Sequence, residues 1–315
     1  MRKGWKLLLL FVLASVAGLQ AAANAPCPIE RAAAYGSRVW LLCDERELLA
    51  SQDSGQSWQS IALPSGARYR SIAFLDERRG FIVGDAGTLL ASDDGGKTWT
   101  QIPLPVKDNL TWIHFSGEFG WISGWSGVML HTSDGGKSWA LQNTGVTQGL
   151  ESVYFTDPQH GWAVGWSGVI IRTTDGGKTW QRANTLMNFW SLSAVYFRDP
   201  MNGWAVGFNG QILRTKDGGI NWEELKSPVR SRLTSITFDR QGRGWITANN
   251  DLLVSEDGGE SWSNIPVQQV LFLRQALPVG ESLWAVGRFG ILERAGSSGE
   301  FRSIASLPRR SPEGS

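Results

Sequence analysis

The chain writes one line six times. Ser51-Gln-Asp53-Ser-Gly55-Gln-Ser57-Trp58 returns as Ser92-x-Asp94-x-Gly96-x-Thr98-Trp99, and recurs at Thr132 to Trp139, Thr173 to Trp180, Thr215 to Trp222 and Ser255 to Trp262. The closing tryptophans are 41, 40, 41, 42 and 40 residues apart. A period near forty marks a repeat architecture, in which one supersecondary unit buries its apolar face only by stacking on the next. A second series runs in step: Gly80-Phe81-Ile-Val-Gly84, Gly120-Trp121-Ile-Ser-Gly124, Gly161-Trp162-Ala-Val-Gly165 and Gly203-Trp204-Ala-Val-Gly207, with weaker copies at Trp40, Trp245 and Trp284. The second series has seven members. A seventh copy of the first is eroded, since counting 39 residues on from Trp262 reaches Phe301 in a stretch without the Asp or the Thr.

Each unit reads as four short strands. In the fourth, Glu151 to Phe155 alternates polar and apolar, and Asp157-Pro-Gln-His-Gly161 turns the chain. Trp162 to Gly165, Val169 to Thr173 and Thr179 to Ala183 follow, separated by Trp166-Ser167-Gly168 and Asp175-Gly-Gly-Lys. Gly and Asp supply the backbone conformations that tight hairpins need. Four short strands in about 40 residues, with no helical periodicity, make a propeller blade. The expected fold is all-β, a seven-bladed β-propeller of four-stranded antiparallel blades. One ring from 24 to 308 uses nearly the whole chain, and 309–315 reads as a flexible tail. Twelve of the seventeen tryptophans then occupy the two repeat positions, leaving Trp5, Trp112, Trp125, Trp166 and Trp190 outside them.

The N-terminus reads as a cleavable signal peptide over 1–23. Arg2, Lys3 and Lys6 precede the apolar run Leu7 to Ala17, and Ala21-Ala22-Ala23 offers a small-residue cleavage site. An uncleaved anchor is the alternative, although the run is short for a span. Export, most simply to a periplasm, is expected. The two cysteines, Cys27 and Cys43, flank a turn near Tyr35-Gly36 at nearly equal distances. A hairpin would set them opposite each other at disulfide distance, which an exported compartment permits. Two thiols one register slip apart are the alternative. Net charge is +1 with mixed signs and no basic stripe, so nucleic acid is not an expected partner. The ring is expected to be monomeric.

The line Ser/Thr-x-Asp-x-Gly-x-Thr/Ser-Trp resembles the Asp-box, or BNR repeat. Only Asn221 departs from it in the six clear copies. Asp53, Asp94, Asp134, Asp175, Asp217 and Asp257 are expected to be structural, each carboxylate accepting N–H groups of its own turn. Each closing Trp is expected to lie between blades. One or two carboxylates per copy are too few for Ca²⁺, and six copies of one catalytic site in one ring make no chemical sense. No metal and no cofactor are expected.

Whole blades, best seen at Asp157 to Trp180 and Asp199 to Trp222, resemble the photosystem II stability and assembly factor family. The resemblance implies a seven-bladed, exported, non-enzymatic protein of the periplasm, or of the thylakoid lumen in a photosynthetic host. It also implies capture of early photosystem subunits, with an arginine-rich patch. The implied role here is a protein-binding scaffold that assists assembly or stability of a membrane or envelope complex. The alternative is a carbohydrate-binding or sialidase-like glycosidase propeller. Sialidases use an Arg triad and a Tyr nucleophile on six blades. This chain has no Phe-Arg-Ile-Pro motif, and Tyr154 and Tyr196 recur at one blade position, which reads as packing. His114, His131 and His160 form no triad-like or metal-spaced set.

The Asp-box joins strands three and four on one rim. The turns between strands two and three, and the loops between blades, then share the opposite rim, which is the expected partner-binding face. Its turns hold Trp125, Trp166, Phe208 and Phe289, with Asp85 and Asp251 where other blades differ. Its inter-blade loops hold Arg68, Tyr69 and Arg70, then Met187 to Trp190, then Arg230, Arg232 and Arg274. Arginines and aromatics on one rim suit a protein or peptide partner. Exposed tryptophans leave a glycan as the lesser alternative.

Overall fold

The computed structural model describes residues 27–43, 47–64, 66–184, 190–267, 271–295 and 300–304. The expected leader and tail, and Met187 to Phe189, lie outside the described residues. Seven four-stranded antiparallel sheets follow one another along the chain. Blade 1 is built from Ile29–Tyr35, Arg38–Cys43, Glu47–Ser51 and Gln59–Ala62. Blade 4 is built from Leu150–Phe155, Gly161–Gly165, Ile170–Thr173 and Gln181–Arg182, and blade 7 ends on Phe301–Ser303 where the eroded repeat stands. The outer strand of blade 4, Gln181–Arg182, is shorter than the Thr179 to Ala183 that the sequence pattern suggests.

The first strand of every blade touches the first strand of the next, and that of blade 7 touches that of blade 1, so seven first strands surround a central channel. Every blade takes its four strands from one continuous stretch of chain. Among the described residues, no strand is exchanged to lock the ring. The seam between blades 7 and 1 is held by Ile29 N–H donating to Arg288 O at 3.0 Å and by Ala32 N–H donating to Gln275 Oε1 at 3.1 Å. A core shared by both blades joins Ile29, Leu41, Trp284, Val286 and Ile291 to Cys27 and Cys43.

Cys27 and Cys43 form a disulfide with Cα atoms 5.7 Å apart. They are not directly opposite, however. The hairpin turns at Gly36 and Ser37, so Tyr35 pairs with Arg38, and a register shift between Ile29 and Arg31 then moves the partner of Cys43 from Glu30 to Ile29. The bridge therefore runs from the residues entering that strand to the end of the second.

The Asp-box hydrogen bonds are local. Ser51 Oγ donates to Asp53 Oδ1 at 2.8 Å and accepts from Gly55 N at 2.8 Å. Asp53 Oδ1 accepts from Ser57 N at 2.8 Å. The hydroxyl and N–H of Ser57, with the Ser51 hydroxyl, hold the Asp53 carboxyl down at about 2. In the box of blade 5, Asn221 keeps the same role, its amide donating to Asp217 Oδ2 at 2.8 Å. The box glycine has two reasons to be glycine. Gly259 has φ +92°, and a Cβ there would stand 2.6 Å from the ring of Trp204 in the preceding blade.

That neighbouring tryptophan is the inter-blade wedge. Trp40, Trp121 and Trp162 each stack on a phenylalanine that ends or nearly ends the next first strand, Phe74, Phe155 and Phe197, with centroids 3.5 Å apart. The box tryptophan of that next blade meets the same phenylalanine edge-on, as Trp99 meets Phe74. The wedge indole N–H donates to a box glycine carbonyl of the following blade: Trp40 to Gly95 at 3.0 Å, Trp121 to Gly176 at 3.2 Å, Trp162 to Gly218 and Trp204 to Gly259 at 2.9 Å. The link is missing where the repeat departs from its pattern. Blade 2 carries Phe81, which has no N–H. Buried Trp245 faces the blade with the eroded box, and among the described residues its indole N–H has no acceptor; nor has that of Trp284 at the seam.

Two outcomes follow. Trp204→Phe and Trp245→Phe remove similar ring area from buried sites, each beneath an arginine, Arg198 and Arg294. Only the first breaks a hydrogen bond, so it is expected to cost roughly 1–3 kcal/mol more than the second, measured by urea unfolding. Equal losses would contradict the link. The depressed Asp-box carboxyls stabilise the fold fully above their unfolded value of 3.8 and lose that contribution as pH falls through about 2. The melting temperature is therefore expected to fall between those limits, with a shallower slope when Asp53, Asp94 and Asp175 are all changed to Asn.

Candidate functional site at the channel mouth

Hydrogen bonds separate the two rims. On one, five of the six clear boxes lean on the first hairpin turn of their own blade, with Gly95 N–H donating to Arg78 O and Gly135 N–H to Glu118 O. On the other, the turn between strands two and three meets the inter-blade loop. Gly87 N–H donates to Asp108 O at 2.8 Å, and Gly210 N–H to Ser231 O at 3.0 Å. These turns are single 3-10 turns, Asp85–Gly87, Trp125–Gly127, Trp166–Gly168 and Phe208–Gly210. Their glycine is required by a close approach: a Cβ on Gly127 would lie 1.9 Å from Val146 O of the loop.

The channel mouth on this second rim is shaped by a feature repeated in all seven blades. Where the first strand begins, one residue is bulged out of its pairing with the second strand. The bulged residues are Glu30, Arg70, Thr111 and Glu151 in blades 1 to 4, and Ser193, Thr234 and Arg274 in blades 5 to 7. A bulge re-aims the extra side chain and leaves the strand otherwise intact. Thr111 Oγ1 donates to Leu150 O of the next first strand, and Thr234 Oγ1 to Leu273 O, so the smaller members tie the inner strands together. The charged members are Glu30, Arg70, Glu151 and Arg274.

Arg31 follows the bulge in blade 1 and lies over the ring of Trp112, 5.3 Å from its centroid. Trp112 belongs to blade 3, which does not adjoin blade 1, so this contact spans the mouth of the channel. Burial pushes the Arg31 guanidinium down to about 10, with Glu30 opposing the shift and Arg274 and Arg232 adding to it. Burial likewise lowers Arg232, against the pull of Glu151 and with the push of Arg274. Groups from blades 1, 4, 6 and 7 therefore feel one another at this mouth.

The residues expected on the rim divide into three groups. Trp166, Trp190, Phe208 and Phe289 are exposed, Trp190 most of all at 58%. Trp125 is half-buried against Trp166, with ring centroids 5.2 Å apart. Arg230 is exposed. Arg68 pairs with Glu30 at 3.3 Å, Arg70 pairs with Asp85 and lies over Trp125, and Arg232 lies 4.4 Å over the Phe208 ring with Nε donating to Ser193 Oγ. Asp251 accepts from Ser231 Oγ at 2.9 Å.

Tyr69 does not reach the rim surface. It is buried, and its hydroxyl donates to Pro64 O at 2.6 Å. Its position in the strand is that of Leu110 and Leu150, an inward apolar site. Arg70 and Arg274 lie in first strands and not in inter-blade loops. Tyr154 and Tyr196 pack against each other, with centroids 5.1 Å apart.

Sequence reasoning missed Glu30, Arg31, Trp112 and Glu151. A signal was present: aligning the repeats on Tyr69, Leu110, Leu150, Leu192, Leu233 and Leu273 makes the following residue a varying column.

The family model described as Photosynthesis system II assembly factor YCF48 matches residues 49–145 and 186–272, more than half of the chain. The chain belongs to the YCF48 family. The BNR/Asp-box repeat model matches residues 171–182. No curated protein sequence matches significantly. Among solved structures, "YCF48 bound to D1 peptide" is 22% identical with a TM-score of 0.72, covering 88% of this chain and 99% of that one. YCF48 from Cyanidioschyzon merolae is 18% identical with a TM-score of 0.68, covering 87% and 98%. An ancestral GH74 enzyme is 14% identical with a TM-score of 0.72, covering 89% of this chain and 46% of that one. At these identities the structures establish the shared propeller fold, which glycosidases also use.

Proposed function

We propose that this YCF48-family chain is an exported, non-enzymatic scaffold of the periplasm, or of the thylakoid lumen in a photosynthetic host. It docks a protein segment on the channel-mouth rim and so assists assembly or stability of a membrane complex. The observation that carries the reading is the asymmetry of the two rims. The box rim is stapled by near-identical hydrogen bonds, while the mouth rim varies blade by blade and presents Trp166, Trp190, Phe208 and Phe289 beside arginines. Aromatic anchors and arginines are the side chains that dominate binding energy at protein interfaces. The D1 peptide bound by a YCF48 structure of the same fold supports a peptide-like occupant.

A carbohydrate-binding or glycosidase reading draws on the same exposed tryptophans and on the GH74 structure. Retaining or inverting hydrolysis needs two carboxyl groups available to the substrate. At the mouth, Glu30 is held by Arg68 and Arg288, and Glu151 accepts the Trp166 indole N–H. The geometry therefore favours binding over hydrolysis.

A photo-crosslinking amino acid at Phe208 or Trp166 is expected to trap a protein in cells, whereas one at Ile220, exposed in a box on the other rim, is not. Equal adducts from Phe208 and Ile220 would refute the assignment of the face.

A further inference from the structure

Blade 7 is short of the turn that the wedge of blade 6 needs. Six blades place eight residues, the full length of the box, between the last paired residues of strands three and four, as between Val254 and Ser263 in blade 6. Blade 7 places six between Arg294 and Phe301, with neither Asp nor Thr among them. On the box rim a cleft of about 460 Å³ lies between these two blades. Its walls include the first hairpin turn of blade 6, with Asp239, Arg240 and Arg243, and that of blade 7, with Gly280 and Glu281; Trp245 and Arg294 also line it. Trp245 is 1% exposed, and among the described residues its indole N–H has no acceptor. Native folds rarely leave a buried donor in this state, because its lost hydration is not replaced. Trp284 shares the defect, but the box of blade 1 already stands against its ring, where a Cβ on Gly55 would come within 2.5 Å.

The surroundings say what kind of group fits. Arg243 and Arg294 lie over the Trp245 ring, 5.9 and 5.0 Å from its centroid, and Phe301 meets it edge-on at 5.6 Å. The indole therefore offers its N–H edge and not a face for stacking. Charges in the cleft are matched, with Arg243 on Asp239 at 2.9 Å and Arg240 on Glu281 at 3.6 Å. The second pair joins the two walls and is almost fully exposed, so a ligand displaces it at little cost. A neutral acceptor suits such a site better than an ion. We propose that this cleft binds a glycine turn of another protein, whose main-chain carbonyl accepts from Trp245 as box carbonyls accept from Trp40, Trp121, Trp162 and Trp204. The occupant supplies from outside the half-joint that blade 7 lacks, a use of main-chain complementation. The site lies on the rim away from the docking face described above and does not rest on that reading.

The test follows the indole N–H resonances of the full chain by NMR, with Trp245 assigned by its loss in Trp245→Phe. The probe is a head-to-tail cyclic peptide with the sequence of Ser255 to Trp262, the box that serves Trp204. In the free chain the Trp245 N–H is expected upfield of the bonded indoles of Trp162 and Trp204. The peptide is expected to move it downfield, saturably, and to leave those two in place. Trp245→Phe is expected to weaken capture of the labelled peptide about tenfold, and so is Ser282→Trp, which fills the cleft. Where Trp245→Phe loses its cooperative melt, Ser282→Trp is the variant read. A Trp245 N–H that already resonates with the bonded indoles in the free chain would show that the chain fills its own site, and would overturn the proposal. So would the absence of a saturable shift, or equal capture by the wild-type and variant chains. An equal shift with acetylglycine methylamide would mean a carbonyl site that does not recognise a turn, and would overturn the docked turn.

Discussion

A single aromatic wedge governs how this chain closes. The tryptophan of the second strand enters the gap between blades, stacks on a phenylalanine of the next blade, and hands its indole N–H to that blade's box carbonyl. Each blade alone would expose this ring. In five of the six boxes the glycine then has no freedom to change, because a Cβ would collide with the wedge ring. The Asp-box serves the same contact: its Asp and hydroxyl groups fix a turn whose carbonyl is aimed at a neighbour. A motif that looks like a functional signature is the receiving half of an inter-blade joint.

The joint is weakest where the repeat has drifted. Among the described residues, Phe81, Trp245 and Trp284 each lack the indole-to-carbonyl bond, and two of the three gaps lie around blade 7. The seam there relies on other means: a backbone bond from Ile29 to Arg288, the Glu30 ion pairs, and a core into which the Cys27–Cys43 bridge is packed. Among the described residues no strand is exchanged between the first and last blades, and these contacts join them. They also place Glu30 and Arg31 at the channel mouth, so closure and the candidate site share residues.

The bulge at the start of each first strand explains where residue-level reading failed. Strand alternation predicts sides by parity, and an extra residue reverses the parity. Tyr69 and Arg70 looked like one exposed pair; the bulge sends the tyrosine inward and the arginine to the mouth. The cysteines are out of register for a different reason: the hairpin turns at Gly36 and Ser37, so that Tyr35 pairs with Arg38, later in the chain than the expected turn. The exposed turn aromatics Trp166 and Phe208 were readable because a tight turn at fixed spacing has one outward direction.

The sequence alone determined the number of blades, the strands within them, the two rims and the structural character of the Asp residues. Each of these follows from contacts within one forty-residue period or between adjacent periods. Only the tertiary structure decided what meets at the axis. Arg31 and Trp112 are 81 residues apart and belong to blades that are not neighbours in the ring, and Arg31 feels Arg232 and Arg274 from the far end of the chain. No periodicity encodes that convergence. It exists because seven similar units close into a ring, which brings the same strand position of every blade to one opening, whatever side chain each blade has placed there.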